Sequence, residues 1–353
     1  MISKRGMRLE DFTYVPVLRF REQERKALKS VNMSNKMVPL IEMVSEKPRS
    51  NSKEDSIQHL INETDGMEQI FIDIPIYLSV KRNTKESTID FINRMKSDVN
   101  QRIGYYLDDR LVGEDRFIPV ISYDPAIPFN ETSLKQLEFS LRERYGRLGF
   151  RIYPTYFQEA FTSIKDLLQK QDFLFFDVGE GNHNTQNKRF HESLVKLAST
   201  KDATSIIIRS AVPKELTYTG LTNNEVVGSI DNSLLKDYTH FGYDAFGDYA
   251  GVKKDDITEG GRISPGYFLF SGEYNLFYGF KGEFNRPATF TSLLVPEIMD
   301  SKVWKTLSKN HKENCYGCRS IIEISENQRS GNAQSEWKGY TMAHYLYTLE
   351  EFL

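Results

Sequence analysis

The sequence predicts an α/β fold, and more specifically a (β/α)8 barrel of the TIM type with an inserted β-hairpin and a C-terminal extension. Short apolar runs rich in Val, Ile and Phe recur along the chain and are nearly continuous, which is typical of strands buried on both faces. A helical stretch follows almost every run, so right-handed crossovers joining parallel strands are expected. Seven such units in a row, within 353 residues, fit a closed barrel better than an open sheet.

Seven of the eight strands are predicted at the apolar runs. They are expected at residues 14–18, 37–41, 69–74, 117–121, 149–153, 173–178 and 205–208. The eighth strand is less regular, because a loop rich in Thr, Asn and Ser (217–233) precedes it. We place its end at the run Phe246-Gly247-Asp248-Tyr249-Ala250-Gly251.

Helices are predicted between the strands from the spacing of their apolar residues. They are expected at residues 55–64, 88–102, 133–145, 163–170 and 189–198. The clearest is the second, in which Ile89, Ile92, Met95 and Val99 recur at intervals of three and four and therefore lie on one face.

The last ninety residues break the alternation of strands and helices. Two aromatic runs, 267–270 and 275–280, flank Ser271-Gly272-Glu273, which predicts a β-hairpin over 266–282. A helix at about 287–310 and another near 342–352 follow. We therefore expect a barrel over 1–310 that includes the hairpin, and an extension over 311–353 packed on it. The hairpin's aromatic side chains fit either core or lid packing, or a surface that stacks on a base or contacts a partner.

The composition excludes several classes of protein. Lys and Arg number 46 against 49 Asp and Glu, and this near-balance argues against a generic nucleic-acid binder, although a local basic pocket is allowed. Two cysteines cannot build a disulfide-stapled fold. The first nine residues lack the apolar segment of a signal peptide, and no run of about 18 apolar residues exists. We expect a soluble cytoplasmic protein that does not contact a membrane.

Polar or charged side chains lie at the ends of nearly all predicted strands. In a (β/α)8 barrel the carboxyl ends of all strands face one rim, where catalytic groups gather. The rim residues expected from the sequence are Arg19, Glu42, Asp73, Ser122, Arg151, Asp177, Arg209 and Asp248.

The residue types at this rim favour metal-assisted cleavage of a phosphoester. The predicted catalytic carboxylates are Glu42, Asp73, Asp177 and Asp248. Three of them, Glu42, Asp73 and Asp248, are expected to hold Mg²⁺ or Mn²⁺, which prefer oxygen ligands. The guanidinium groups predicted to grip a phosphate or carboxylate are those of Arg19, Arg151 and Arg209.

Other interpretations of the rim stay open. Two carboxylates could act as in a glycosidase, the rim could bind an anion without turnover, or the charges could form structural ion pairs such as Glu42 with Arg209. No histidine lies at a strand end, which argues against an amidohydrolase-type metal site. His183 follows the loop Gly179-Glu180-Gly181-Asn182 and is a further candidate for ligand contact.

Cys315 and Cys318 form a CxxC pair outside the predicted barrel. One pair supplies half of a tetrahedral zinc site, and His311, His344 or another chain could complete it. A redox pair or two ordinary thiols are the alternatives, since the thioredoxin-like context of a redox CxxC is absent from the sequence pattern.

Several segments, in order, resemble the "beta protein" family of bacteria and their phages. They are Tyr14-Val15-Pro16-Val17-Leu18-Arg19, Val38-Pro39-Leu40-Ile41-Glu42, the run 246–251, Cys315-Tyr316-Gly317-Cys318, Gly331-Asn332, Trp337 and His344. The resemblance spans almost the whole chain and differs at Ala343-His344-Tyr345, where one histidine stands in place of an expected pair. It implies a barrel-type protein linked to phage–host conflict, and no defined reaction.

Two classes of function therefore remain. The first is a divalent-metal-assisted phosphoester hydrolase that acts at the rim on a nucleotide or nucleic acid. The second is a non-catalytic recognition module of a defence or counter-defence system, which uses the rim pocket or the aromatic hairpin. The corresponding partners are a phosphate-containing ligand or another protein.

Overall fold

Eight parallel strands close into a barrel in the computed structural model of this protein, which describes residues 12–47, 52–78, 83–124, 131–181, 188–254 and 262–353. The strand order around the barrel is the order of the chain, and the last strand pairs with the first. The predicted (β/α)8 class is therefore confirmed. The barrel strands are β1 Tyr14–Arg19, β2 Leu40–Glu42, β3 Ile70–Asp73, β4 Phe117–Ser122, β5 Gly149–Ile152, β6 Phe173–Asp177, β7 Thr204–Ile208 and β9 Ala245–Asp248.

Side chains alternate between the inside and the outside of the barrel along each strand, as the two-residue period of a strand requires. One apolar cluster fills the interior and includes Val17, Leu40, Phe71, Val120 and Phe175. The intervening residues face the surrounding helices and join a larger outer core. Nearly every strand residue is buried, because the strand is covered on both faces.

The helices of the barrel surround this sheet. They are α1 Glu22–Lys29, α2 Ser56–Glu63, α3 Glu86–Ser97, α4 Val99–Tyr106, α5 Asp109–Val112, α6 Glu131–Arg142, α7 Phe157–Ile164 and α8 Lys188–Lys201. The single helix predicted over 88–102 is divided at Asp98, which is extended and caps α4 by accepting from the Asn100 backbone N–H at 2.8 Å. The helix predicted over 163–170 is wrong for most of its length, since α7 begins earlier and buries Phe157, Ala160 and Ile164.

The chain after β7 leaves the simple alternation. The predicted hairpin is confirmed as β10 Gly266–Ser271 and β11 Leu276–Lys281, which pair antiparallel. A two-residue strand that the sequence did not predict, β8 Glu225–Val226, adds to β11 and makes a three-stranded sheet. The remaining helices are α9 Leu234–Asp237, α10 Val295–Asp300, α11 Lys302–Thr306, α12 Lys309–Asn314, α13 Tyr316–Ser325 and α14 Gln334–Phe352.

The predicted helix over 287–310 is instead a π-helix at Phe290–Leu294, followed by α10, α11 and the first residues of α12. Ser301 ends α10 in an extended conformation and caps α11 through the Trp304 backbone N–H, so the helical path changes direction there. The hairpin's aromatic side chains are mostly core, because Tyr267, Phe270 and Phe280 are almost fully buried. Tyr274, at the hairpin tip, is exposed.

Two apolar cores meet at α14. Its residues Ala343, Leu346 and Leu349 lie in the outer core of the barrel, and the helix packs against α1. A second core joins one face of the hairpin to α10, α11 and α13. The division at residue 310 stays a prediction, while the packing of α14 on the barrel is observed. No helix among the described residues is long and apolar enough to span a membrane.

Candidate functional site

A buried cluster of charged side chains occupies the carboxyl end of the barrel interior. Its positions follow from strand alternation, since Arg19, Glu42 and Asp73 each come two residues after an inward-facing apolar residue. The strand register sets them level, with Arg19 opposite Glu42 and Glu42 opposite Asp73. The sequence-predicted residues that the structure brings together here are Arg19, Glu42, Asp73, Ser122, Arg151 and Asp177.

Arg151 lies at the centre of this rim cluster and is fully buried. Its Nη1 donates to Glu42 Oε1 at 2.8 Å and to Asp73 Oδ2 at 2.6 Å. Its Nη2 donates to Asp177 Oδ2 at 2.7 Å and to the Tyr249 hydroxyl at 3.0 Å. One guanidinium therefore binds carboxylates from three different strands, which is the geometry in which charges can be buried at tolerable cost.

Lys254 is a second cation of the cluster and lies just beyond β9. Its Nζ is 2.8 Å from Asp177 Oδ2, and its side chain is 14% exposed. Burial lowers the pKa of Lys254, and Asp177 offsets part of that effect. Burial alone would raise the pKa of Asp177, but the charges of Lys254 and Arg151 outweigh it and hold that pKa below its usual range.

Tyrosines line the space between these charges. The Tyr77 hydroxyl donates to Glu42 Oε1 and Oε2, both at 2.8 Å, and the Lys254 Nζ lies 3.9 Å from the centre of the Tyr77 ring. The Tyr249 hydroxyl donates to Asp177 Oδ2 at 2.9 Å. These contacts add neutral donors to carboxylates that would otherwise rely on cations alone.

Three charged groups of the cluster keep an atom without a hydrogen-bond partner among the described residues, the third being Arg151 at its Nε. The first is Arg19, whose Nε and Nη2 are both unsatisfied although the side chain is only 7% exposed. Its nearest ion-pair partner is Glu42, with Arg19 Nε and Glu42 Oε2 3.6 Å apart. The second is Asp73 Oδ1, and burial raises the pKa of Asp73, with Arg151 offsetting part of the rise. A buried charged donor without a partner costs about 1–3 kcal/mol or more.

Asp248 lies apart from this cluster, on the outer face of the barrel. It shares that face with Phe246 and Ala250, whereas Tyr249 faces inward. The Tyr14 hydroxyl donates to Asp248 Oδ1 at 2.6 Å, the Tyr345 hydroxyl donates to Oδ2, and the Ala250 N–H donates to Oδ1 at 2.8 Å. Burial raises the pKa of Asp248 to about 6.

The three predicted metal ligands, Glu42, Asp73 and Asp248, are therefore not brought together. The reason is the two-residue period of a strand, because the inward position at the end of β9 belongs to Tyr249. Glu42 and Asp73 do lie close to each other, but both accept from Arg151 Nη1. A divalent ion between them would have to displace that guanidinium.

The remaining predicted residues have other surroundings. Arg209 ion-pairs with Asp231 at 2.8 Å and donates to the carbonyl oxygens of Gly181 and Asp231, so the suggested pair of Glu42 with Arg209 does not form. Ser122 donates to Asp73 Oδ2 at 2.8 Å. His183 lies outside the described residues.

Three contributors to the cluster are absent from the sequence prediction, namely Tyr77, Tyr249 and Lys254. Tyr249 follows directly after the predicted Asp248, so a strand predicted to end one residue later would have included it. Lys254 lies in the pair Lys253-Lys254 after the eighth strand, and only the return of the chain over the barrel mouth places its Nζ at Asp177. A lysine whose pKa is lowered by burial at a barrel mouth is suited to act as a base or nucleophile.

Comparison with known proteins adds a family and no activity. A protein-family model described as "Beta protein" matches residues 14–349, nearly the whole chain. The match includes every strand of the barrel, the hairpin and most of α14. No curated protein matches the chain.

Proposed function

The chain belongs to the Beta protein family, and from that premise we propose that its barrel rim binds a small phosphate-bearing ligand through Arg19 and Lys254. The family description names no reaction, so the proposal depends on the rim itself. The single observation that carries it is the pair of unsatisfied N–H donors on Arg19, an almost fully buried cation.

Arg19 has the geometry for an oxyanion. Its guanidinium is planar and can donate two parallel hydrogen bonds to one phosphate or carboxylate group. Glu42 does not occupy these donors, because its carboxylate is 3.6 Å away and is already bound by Arg151 and Tyr77. A ligand oxyanion would supply the missing partners and recover the free energy lost by burying them.

Lys254 supplies a second cationic contact on the other side of Tyr77. Glu42 lies next to Arg19 and accepts from the Tyr77 hydroxyl, while the Lys254 Nζ lies over the Tyr77 ring. Lys254 and Arg19 also keep some exposure, whereas Arg151 is fully buried. A ligand that enters the mouth would therefore meet these two cations before it meets Arg151.

A second candidate function is metal-assisted hydrolysis of a phosphoester at the same rim. The observation that favours it is Asp73 Oδ1, a buried carboxylate oxygen with no hydrogen-bond partner among the described residues. Glu42 and Asp73 would hold Mg²⁺ or Mn²⁺, and the ion would polarise the phosphoryl oxygen. This function requires Arg151 to move away from both carboxylates when the ion binds, whereas anion binding requires no such change.

Titration calorimetry with defined anions tests the first proposal. The probes are inorganic phosphate, AMP and, as a carboxylate, citrate. We expect the phosphate-bearing probes to bind, and Arg19→Met and Lys254→Met each to weaken binding by about tenfold or more, since each removes a charge-assisted hydrogen bond. Lys253→Met is the matched control, because Lys253 is the neighbouring lysine and its Nζ donates to the carbonyl oxygens of Lys214 and Leu216.

The outcomes separate the two candidates. Failure of the wild-type protein to bind either phosphate probe contradicts the proposal, and preferential binding of citrate would assign the site to a carboxylate. Repeating the titrations with Mn²⁺ tests the second candidate. Hydrolysis of a phosphoester that requires Mn²⁺ and is lost in Asp73→Asn, but kept in Lys253→Met, would replace simple binding with catalysis.

A further inference from the structure

We propose that His311, Cys315, Cys318 and His344 form a structural zinc site that joins the C-terminal helices to one another. These four side chains lie far from the rim cluster in sequence and belong to a different core. Two histidine nitrogens and two sulfurs face one point, with all four ligand atoms within 4.8 Å of one another. The proposal is independent of the anion site.

The chain brings the four groups together from three helices. His311 lies on α12, Cys315 is the residue between α12 and α13, and Cys318 lies in the first turn of α13. His344 comes from the middle of α14, which crosses them. All four are buried, with at most 4% of any one exposed.

Gly317, between the two cysteines, permits this approach. A Cβ at that position would lie 2.4 Å from the Tyr340 carbonyl oxygen and 3.2 Å from the His344 Cβ. Any other residue would therefore push α13 away from α14. The spacing of the CxxC pair is thus matched to the close contact of the two helices.

The separations of His344 Nδ1 from the other three ligand atoms match the edges of a zinc tetrahedron. Zn–S bonds of about 2.3 Å and Zn–N bonds of about 2.0–2.1 Å imply edges of roughly 3.3 Å between two nitrogens and roughly 3.6 Å between nitrogen and sulfur. The observed distances are 3.3 Å from His311 Nε2 to His344 Nδ1, and 3.7 and 3.5 Å from His344 Nδ1 to the sulfurs of Cys315 and Cys318. The other three separations are at most 4.8 Å, so an ion would require at most a small closing of the cluster.

The outer hydrogen bonds of both imidazoles leave their inner nitrogens free to coordinate. His311 Nδ1 is 2.7 Å from Glu351 Oε2, and His344 Nε2 is 2.9 Å from the Phe270 carbonyl oxygen. Both outer partners are acceptors, so a neutral ring at either position would carry its proton on the outer nitrogen. With both rings neutral, the two inner lone pairs would face each other at 3.3 Å, an arrangement that repels unless a metal ion or a proton lies between them. A carboxylate or carbonyl behind a ligating histidine is the usual second shell of zinc.

The alternatives explain less of this arrangement. Cys315 and Cys318 are free thiols and fully buried, whereas reactive redox thiols are partly exposed. Ordinary packing of two thiols would not require two histidines directed at them. The donor set of two thiolates and two imidazoles in a tetrahedron favours zinc over Mg²⁺ or Mn²⁺, and four protein ligands leave no position open for substrate.

The site would stabilise the attachment of α14 to the barrel. His344 is followed by Tyr345, whose hydroxyl donates to Asp248 on β9. The Phe270 carbonyl that holds His344 belongs to β10 of the hairpin. One ion would therefore join α12, α13, α14 and the hairpin, and α14 transmits that constraint to the outer face of the barrel.

Metal analysis of the full-length protein, purified under reducing conditions without chelator, tests the proposal. We expect about one zinc ion per chain. Replacement by Co²⁺ should give the visible bands of tetrahedral cobalt and a thiolate charge-transfer band. Both signals should be lost in Cys315→Ser and Cys318→Ser and retained in the control His240→Ala, because His240 is exposed and is not one of the four proposed ligands.

A milder variant keeps the test informative if the cysteine variants do not fold. Glu351→Gln removes only the charge behind His311, and we expect it to weaken zinc affinity by about 10- to 100-fold. A strong chelator should also lower the melting temperature of the wild-type protein, and added Zn²⁺ should restore it. Absence of zinc in the purified protein, together with failure of the reduced protein to take up Zn²⁺ or Co²⁺, would overturn the proposal.

Discussion

The rim cluster and the cluster of His311, Cys315, Cys318 and His344 on the C-terminal helices (the helical cluster) both bury several ionisable side chains. They differ in how the hydrogen-bonding and charge requirements of those groups are met. At the rim, Arg151 binds Glu42, Asp73 and Asp177 directly, so opposite charges meet within the protein. In the helical cluster, two sulfurs and two imidazole nitrogens converge, with the four ligand atoms within 4.8 Å of one another.

This difference decides which cluster requires an external ion. Buried charges are tolerated when complementary groups surround them, and the rim meets this condition almost completely. Electron-pair donors that converge on one point are tolerated only when a cation or protons occupy it. We therefore expect the rim to fold without a metal and to bind an anion at Arg19, which keeps two unsatisfied donors, while the helical cluster depends on zinc.

The largest effect is expected from removing Arg151, which tests whether the rim charges neutralise one another. Arg151→Met would leave three buried carboxylates without their shared partner, and we expect the free energy of unfolding to fall by about 3–5 kcal/mol or more. Urea denaturation of the full chain measures it. Arg319→Met on α13 is the control, because that side chain is 53% exposed and its ion pair contributes at most about 1 kcal/mol.

A rescue variant makes the Arg151 test specific. Adding Asp73→Asn and Asp177→Asn to Arg151→Met removes two of the three charges that lost their shared partner, so part of the lost stability should return. If Arg151→Met costs no more than Arg319→Met, the carboxylates are solvated and the rim is not the self-neutralised cluster described above.

A smaller effect concerns Asp248, the buried carboxyl on the outer face of the same strand ends. Burial raises its pKa to about 6, above the value of about 3.9 in an unfolded chain. Between these values the folded state binds a proton that the unfolded state does not, so this group's contribution to stability increases as pH falls. From pH 7 to pH 5 the increase is about 1 kcal/mol.

Asp248→Asn should remove that pH dependence. The measurement is the difference in unfolding free energy between the wild-type protein and the variant at several pH values from 5 to 8, which cancels the other titrating groups. Asp300→Asn, at a highly exposed position, should show a difference that does not vary with pH. A wild-type advantage that grows as pH rises would contradict the raised pKa of Asp248.

The smallest expected effect concerns Arg19. Its Nε and Nη2 have no hydrogen-bond partner among the described residues, so Arg19→Met should remove little stabilising free energy when no anion is bound. We expect the unfolding free energy to change by about 1 kcal/mol or less, although anion binding is lost. A loss as large as that of Arg151→Met would make Arg19 a structural ion-pair residue instead of a ligand contact.

Much of the fold could be predicted because buried strands leave a direct signature in sequence. Continuous apolar runs such as those of β4 and β6 identify strands covered on both faces, and their number and alternation with helices indicate the barrel. The errors lie where local and tertiary signals compete. Asp98 fits within an apolar helical pattern, yet its side chain caps a new helix there. The edge strand β8 has only two residues, both exposed, so it carries no apolar pattern at all.

The candidate site was predictable only in part. A charged residue after an apolar run located Arg19, Glu42 and Asp73 correctly at the inner rim, because each continues the inward period of its strand. The same rule failed for Asp248, since a one-residue shift moves a side chain to the opposite face of the barrel. It also gave no sign of Lys254, which reaches the rim from beyond the strand.

The sequence by itself determined the closed barrel, the collection of charges at its carboxyl rim and the presence of a CxxC pair. These depend on local periodicity and on residue types, both of which can be read directly from the sequence. Only the tertiary structure decided which charges meet, that Asp248 faces Tyr14 and Tyr345, and that His311 and His344 close on the two cysteines. Those contacts join residues up to 234 positions apart, and a separation of that length depends on how strands and helices pack, which no local pattern specifies.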